Sequence, residues 1–452
     1  MIGMNHSCYI VFTSLILDLL GFTIILPLIP SLLDYYQSND QSGWYSWLDN
    51  RVDTIRHYLH VPSEHNKVLF AGLIGSWFSF LQFACSPFIG ALSDVFGRRS
   101  TLIGCLLGTI ISYILWMCSG NSFFLFFASR TIGGLSKGNI SLCTAIMTDL
   151  SSIADRTKGM ALIGISFSIG FIFGPMIGAY FSYLSKNSSI ISISILPQNA
   201  FIFPAAFATI LAILNLVFVI SSLEESLPKA QRLSSLGYGI SRALNFVNPL
   251  SLFRFNPVQR ISDEERKDLG EIGTIYFLFL FLYSGLEYTL TFLAHQRFEY
   301  TRMQQAKMFL FNGLLMTILQ GGYVRRLAPG KELQTVINGI ILIIPSFIFI
   351  GLATTQLHFY LSLSLYAFSS ATVVPCLTTL ASSKGPPDQK GTILGTFRSL
   401  GSLARAFGPI VSAFGYWTFG GKCSYCVGGI LLTLPLLRSL ALKRRAKVKK
   451  SA

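Results

Sequence analysis

Twelve apolar runs, each near the ~20 residues a helix needs to cross a bilayer, limit what this chain can fold into. They lie at about residues 9–33, 67–91, 101–119, 121–148, 159–183 and 200–222, then 271–293, 306–324, 335–353, 358–380, 390–414 and 425–441. Between the two sets of six lies a polar stretch, 223–270. It carries the chain's densest charge, D-E-E-R-K-D from Asp263 to Asp268. Lipid leaves only helices and closed barrels for a spanning backbone, and runs of this length fit helices. Composition agrees: 52% of residues are hydrophobic and 12% charged, against about 25% charged in an average soluble domain. The expected fold is an all-α membrane protein with twelve transmembrane helices in two pseudo-symmetric six-helix bundles. Residues 1–222 form the first half and 223–270 a cytoplasmic linker with one amphipathic helix. Residues 271–442 form the second half and 443–452 a basic cytoplasmic tail.

Lysine and arginine set the orientation. One set of loops holds Arg98, Arg99, Arg156, Lys158, the linker cations, Arg325, Arg326, Lys331, Lys384, Lys390 and the tail from Lys443 to Lys450. The other holds Arg51, Arg56, Lys186, Arg297, Arg302 and Lys422. The bias is about three to one, which puts the first set and both termini in the cytoplasm. The loop from Asp34 to Asn66 then faces the outside or the lumen, and its acids, tryptophans and tyrosines suit a segment lying at the interface. The first run is longer than a signal-peptide core and follows almost no basic residues, so it is expected to stay as span 1. The net charge of +15 falls in loops and tail, which argues against a nucleic-acid partner. Eight scattered cysteines give no metal spacing; Cys423 and Cys426 form a lone C-x-x-C that chance explains better than a luminal disulfide. No G-x-x-x-x-G-K-S/T string occurs, so ATP-driven work is not expected. Neither are a cofactor, a metal or enzyme chemistry.

An internal repeat supports duplication. Span 5 reads G-F-I-F-G-P-M-I-G from Gly170 to Gly178, and span 11 reads A-R-A-F-G-P-I-V-S from Ala404 to Ser412. Aligning Gly174-Pro175 with Gly408-Pro409 brings small residues into register around them. Equivalent halves with Gly/Pro-interrupted helices are a pointer to a transporter.

Ionisable residues deep in apolar spans are costly and face a cavity or a partner. Asp18 lies about nine residues into span 1, roughly 14 Å along a helix. Span 4 carries Arg130 and Lys137, seven apart and therefore on one face of a continuous helix. A structural alternative pairs Arg130 with Asp18. Span 7 carries Glu287, and span 11 carries Arg398 and Arg405, again seven apart. Four deep cations against two acids make a positive cavity for an organic anion, with Asp18 or Glu287 available to load a proton. At the cytoplasmic ends, Gly90 to Arg99 reads G-A-L-S-D-V-F-G-R-R. It puts a carboxylate, a turn glycine and two cations in a loop short enough to latch helix ends. Asp149 and Arg156 are its expected partners. G-G-Y-V-R-R from Gly321 is a degenerate second-half copy without the acid.

These strings resemble the major facilitator superfamily. Its loop between spans 2 and 3 reads roughly G-x-L-x-D-R/K-x-G-R/K-R/K. Gly90, Leu92, Asp94, Gly97, Arg98 and Arg99 match, and Val95 stands where a cation is usual. Asp149, Arg156 and Gly159 resemble the family's D-x(6)-R-x-x-G. Gly170, Gly174, Pro175 and Gly178 resemble the antiporter signature G-x-x-x-G-P-x-x-G-G, whose last glycine is Ala179 here. Together with L-D-x-x-G-x-x-x-x-x-P-x-x-P from Leu17 to Pro30, they look closest to the drug:proton antiporter branch that includes bacterial tetracycline exporters.

The resemblance implies a proton-coupled secondary active transporter of small organic anions or drug-like molecules, working by alternating access as a monomer in the lipid bilayer. It also implies that spans 5 and 8 seal at the glycines. Two alternatives remain open: an exporter of cationic or neutral drugs, and a non-transporting receptor or scaffold with the same fold. The six deep charges count against the scaffold. The string Lys449-Lys450-Ser451-Ala452 resembles the K-K-x-x retrieval signal, although a polybasic tail on anionic lipid explains Lys443 to Lys447 better. The expected site is the plasma membrane or the endoplasmic reticulum and early secretory membranes, with Asn187 the one luminal glycosylation sequon.

Overall fold

The computed structural model describes residues 6–59, 66–150, 156–187, 201–229, 232, 248–256, 258, 261–328, 330–384 and 390–451. They fold as helices, with no strand among the described residues. Span 1 comprises α1 (His6–Thr23) and α2 (Ile29–Asn39), joined by a 3-10 turn at Leu26–Leu28. Pro27 and Pro30 cause this break, because each removes an amide donor and crowds the preceding turn. The short helix α3 (Trp44–Leu59) follows. Spans 2 and 3 are α4 (Asn66–Phe96) and α5 (Arg98–Cys118), separated by Gly97 at φ 100°. Span 4 is two helices, α6 (Phe123–Ser136) and α7 (Asn139–Leu150); α8 (Arg156–Asn187) and α9 (Ile202–Ser222) complete the first half. The second half contains α10 (Pro249–Phe253), α11 (Asp263–Phe298), α12 (Arg302–Gly322), α13 (Glu332–Leu352), α14 (Gln356–Ser382), α15 (Lys390–Leu431) and α16 (Thr433–Ser451).

Among the described residues, nine helical stretches are long and apolar enough to cross a membrane. The remaining expected spans take other forms. Span 4 is split into pieces of 14 and 12 residues. Span 8 is the 21-residue α12, whose Gln304, Gln305, Lys307 and Asn312 dilute its hydropathy. Spans 11 and 12 run together through Gly420, where the chain bends at φ 76°. Two boundaries differ from the expected ones. The charged run from Asp263 belongs to the start of α11, with Asp263, Glu264 and Glu265 in its first turn, where the helix dipole favours acids. The basic tail continues α16 as far as Ser451.

The chain divides into two compact units, Met1–Leu244 with Glu299–Leu310 and Asn245–Phe298 with Phe311–Ala452. Each seals its first span in the same way. In the first unit, a Cβ at Gly170, Gly174 or Gly178 would run into Leu19, Thr23 and Ile24 of span 1, and the Thr23 hydroxyl donates to the Gly170 carbonyl at 2.7 Å. In the second unit, a Cβ at Gly408 would meet the Phe281 carbonyl and the Ser284 hydroxyl of α11. The Gly-Pro repeat is thus a repeat of packing: spans 5 and 11 each bring bare backbone against the first helix of their own half. The glycine face of α8 is filled by span 1.

Candidate transport sites

The first unit buries an ion pair. The Lys137 ammonium donates to both Asp18 carboxylate oxygens, at 2.8 and 2.7 Å. Lys137 is 3% exposed and Asp18 5%. The ammonium also lies 5.0 Å from the centre of the Phe22 ring. Lys137 follows the last residue of α6, and the helix restarts at Asn139. The carbonyls that end α6 favour a cation there. A Cβ at Gly138 would collide with Ile89, so α4 packs directly against the break. The Asn139 side chain is buried in the same break, and its amide nitrogen has no hydrogen-bond partner.

Lys137 takes both oxygens of Asp18. One expectation changes here. Arg130 and Lys137 do not share one continuous helical face, because the helix breaks at Lys137. Arg130 is half-buried, with its guanidinium carbon 4.4 Å from the centre of the Phe78 ring.

The second unit surrounds its acid with hydroxyls. Glu287 Oε1 accepts from the Tyr366 hydroxyl at 2.6 Å and lies 3.2 Å from that of Tyr283. The Tyr283 oxygen is 2.6 Å from that of Tyr366 and 2.6 Å from Ser370 Oγ. The two tyrosine rings stack 5.2 Å apart at 7°. Since each hydroxyl carries one proton to donate, the consistent order is Ser370 to Tyr283 to Tyr366 to Glu287. Arg405 is exposed, yet near enough to act electrostatically on Glu287. The side chain of Arg398 lies outside the described residues.

The loop from Gly90 to Arg99 lies in the first unit. The Arg98 guanidinium holds Asp94 at 2.6 Å and Asp149 at 3.2 Å, and also reaches the Ser93 hydroxyl. Arg98 follows Asp94 by four residues, across Gly97. Glu225, after span 6, accepts from the backbone amides of Arg98 and Arg99 at 2.9 and 3.3 Å and so caps the start of α5. Arg232 holds Glu225 at 3.4 Å and donates to the Phe96 carbonyl at 3.1 Å. Gly97 leaves room for this strap, since a Cβ there would strike both Glu225 and Arg232. Gly90 has open space around it. The side chain of Arg156 and the sequon residues after Asn187 lie outside the described residues. In the second unit, the ends of α11 and α14 are tied by Lys384 and Asp268 at 3.0 Å, and α11 and α16 by Arg438 and Glu271 at 3.1 Å.

Sequence reasoning missed Tyr283, Tyr366, Ser370, Asn139, Glu225 and Arg232. Tyr283 stands four residues before Glu287, one helical turn away, and that spacing was a usable signal. The acidic pair Glu224-Glu225 at the end of span 6 was another. Nothing local in the sequence points from Tyr366 to Glu287.

Comparison with known proteins agrees with this architecture. Major facilitator superfamily domain-containing protein 10 of Mus musculus is 44% identical over 447 residues, covering 98% of this chain and 94% of that protein. The crystal structure of the human organic anion transporter MFSD10 (TETRAN) superposes with a TM-score of 0.80 at 42% identity, covering 96% of this chain and 98% of that one. The class C tetracycline resistance protein of Escherichia coli is 23% identical over 450 residues, covering 97% of this chain and 98% of that protein. The sequence profile of the Major Facilitator Superfamily matches residues 11–409, and the chain belongs to that family of membrane transporters.

Proposed function

We propose that the chain is a secondary active transporter that moves small organic anions across a membrane by alternating access, in exchange for protons. The observation that carries the anion reading is the charge balance within each half. Asp18 shares the spans of the first half with Arg130 and Lys137, and Glu287 shares those of the second with Arg398 and Arg405. Among the deep charges, each half therefore sets one acid against two cations. Asp18 already neutralises Lys137, and Arg130 lies against an aromatic face. A cation beside an aromatic ring suits an amphipathic anion, through a charge-assisted contact and apolar packing together. The similar human protein is described as an organic anion transporter, which supports the same reading.

Glu287 is the better candidate for the proton-carrying acid. A hydroxyl chain ends on it, and such a chain gives a proton a route. Asp18 instead spends both oxygens on Lys137. The test is uptake by the purified chain in proteoliposomes, over a panel of organic anions, with and without a pH gradient. Uptake of anions that grows with the gradient supports the proposal. Transport of cations in place of anions favours the drug-exporter reading, and no transport of any solute favours a scaffold.

The membrane follows from the same reading. Both termini are cytoplasmic, and the carrier works in the plasma membrane or early secretory membranes. Replacing Lys449 and Lys450 with serine separates the two tail readings: movement outward, with sugar on Asn187 maturing, supports retrieval. An unchanged location and glycan would rule out retrieval by the tail.

A further inference from the structure

We infer that α3 lies along the bilayer surface, at the far end of span 1 from His6, with Trp44, Trp47 and Tyr58 among the lipid head groups. Two membrane boundaries fix its level. It begins shortly after α2, where span 1 leaves the membrane, and it is tied to the start of α6, where span 4 enters. Asp40 makes that tie. One oxygen accepts from the Phe123 amide at 2.9 Å and from the Ser42 amide and hydroxyl at 3.0 and 2.7 Å; the other accepts from the Tyr45 amide at 2.9 Å. The Gln41 amide adds a bond to the Asn121 carbonyl at 2.8 Å.

The inner face of α3 packs on the bundle. Tyr45 and Val52 are buried, and the Tyr45 ring meets Phe70 and Phe123 edge-on at 5.2 and 5.3 Å. Its outer face is a stripe of Trp44, Trp47, Arg51 and Tyr58. These residues fall at i, i+3, i+7 and i+14, so they share one side of the helix. Trp44 is 43% exposed, Trp47 55% and Tyr58 82%. The Arg51 guanidinium lies 5.7 Å from the centre of the Trp47 ring. Exposed aromatics in a row mark an interaction surface, and tryptophan, tyrosine and arginine together match the amphipathic zone of phospholipid head groups.

Lipid is the occupant because the stripe continues onto membrane-spanning helices. The Trp44 ring is 4.9 Å from Phe124 and 6.4 Å from Phe127 of α6. Phe127 is 6.2 Å from Trp77 of α4, and Trp77 is 6.3 Å from Phe80. Trp77 and Phe80 are exposed, and the Trp77 indole N–H is already satisfied by the Thr131 hydroxyl at 3.0 Å. An indole bonded within the protein can face hydrocarbon without an unpaired donor. The aromatic surface thus descends from α3 into the region of the acyl chains.

Tryptophan quenching by brominated phosphatidylcholine in nanodiscs tests this on the full chain. The chain has five tryptophans, and Trp116 and Trp417 are buried. Lipid brominated near the head group should quench the wild-type protein strongly, and Trp44→Phe with Trp47→Phe should remove about half or more of that quenching. Trp77→Phe should remove quenching by lipid brominated deep in the chain. The single variants W44F and W47F give the same sign with smaller loss, should the double variant not assemble. Shallow quenching that the double variant leaves unchanged, or tryptophans reached by aqueous iodide and by neither lipid, would overturn the placement. Quenching that varies with protein copies per disc would assign the stripe to a second copy, and would overturn it too.

Discussion

Lys137 binds Asp18 through both carboxylate oxygens, at 2.8 and 2.7 Å, at the point where the fourth span breaks. Pair and break explain each other. The break lets a side chain at a helix end reach across to α1, and the ion pair ties the break to α1. Removing two charges from water is expensive unless each satisfies the other.

Loss of one partner should therefore be severe. Asp18→Asn leaves a buried ammonium facing a neutral amide and should cost about 3–5 kcal/mol of stability. Combining it with Lys137→Gln removes both charges at similar volume and should recover most of the loss. Denaturant unfolding of the purified proteins checks the order: wild type and double variant close together, single variant well below. A single variant as stable as wild type would mean that the pair does not hold the break.

Glu287 should behave differently. Glu287→Gln should abolish flux driven by a pH gradient and leave anion exchange. Tyr366→Phe removes the 2.6 Å bond to the carboxylate. A hydrogen bond to a charged group is worth about 1.5 kcal/mol or more, so coupled flux should fall by about tenfold. Parallel flux assays with and without the gradient separate the two effects. Unchanged pH dependence in Glu287→Gln would move the coupling role away from this acid.

The spans, their order and the deep charges were legible in the sequence because each is a local property: length, hydropathy, and a charge among apolar neighbours. The partners were not. Lys137 and Arg130 look alike at seven-residue spacing, and the break after Ser136, which lets the Lys137 ammonium reach both Asp18 oxygens, is a feature of the folded bundle. Gly133, Gly134 and Gly138 marked that stretch as weak helix, yet small residues also serve close packing, so the spacing alone could not choose. Glu287 stood out as a lone acid, whereas Tyr366 joins it from a span 79 residues away. The Gly-Pro repeat was visible, but which neighbour fills a glycine face depends on how the bundle closes.

That closure gives a steric prediction. Gly174→Ala should drive a methyl into Thr23 and the span 1 backbone, with an overpacking cost of about 1–3 kcal/mol. Thr23→Ala in the same protein should relieve part of it, because the Thr23 hydroxyl is the nearest obstacle. Thermal unfolding of the single and double variants reads this directly. Gly408→Ala should show a loss of similar size in the second half.

The loop from Gly90 to Arg99 engages three acids. Asp94 and Asp149 share Arg98, whereas Glu225 caps α5. Glu225→Gln should cost about 0.5–2 kcal/mol, the range for a lost helix cap. Asp94→Asn should slow turnover with little loss of stability, since Asp149 still holds Arg98. Turnover at the wild-type rate in Asp94→Asn would reduce the loop to a topology signal.

Asp40 predicts how the α3 end of the first unit responds to acid. Burial by itself raises its carboxyl, but the bonds from the Phe123 amide, the Ser42 hydroxyl and the Tyr45 and Ser42 amides outweigh that and hold it below the ordinary 3.8. A carboxyl with a lower pKa when folded than unfolded contributes stability above the unfolded value and loses it as pH falls through the folded one. Asp40→Asn keeps one acceptor oxygen and cannot titrate there. Near neutrality the wild type should therefore be the more stable, by on the order of 2 kcal/mol, as expected for hydrogen bonds to a charged group. The gap should stay constant down to about the unfolded pKa and close progressively below it. Thermal unfolding of both proteins in nanodiscs, from neutral pH into the acid range, measures the gap at each step. A gap that widens on acidification would mean that these four bonds do not favour the ionised carboxyl.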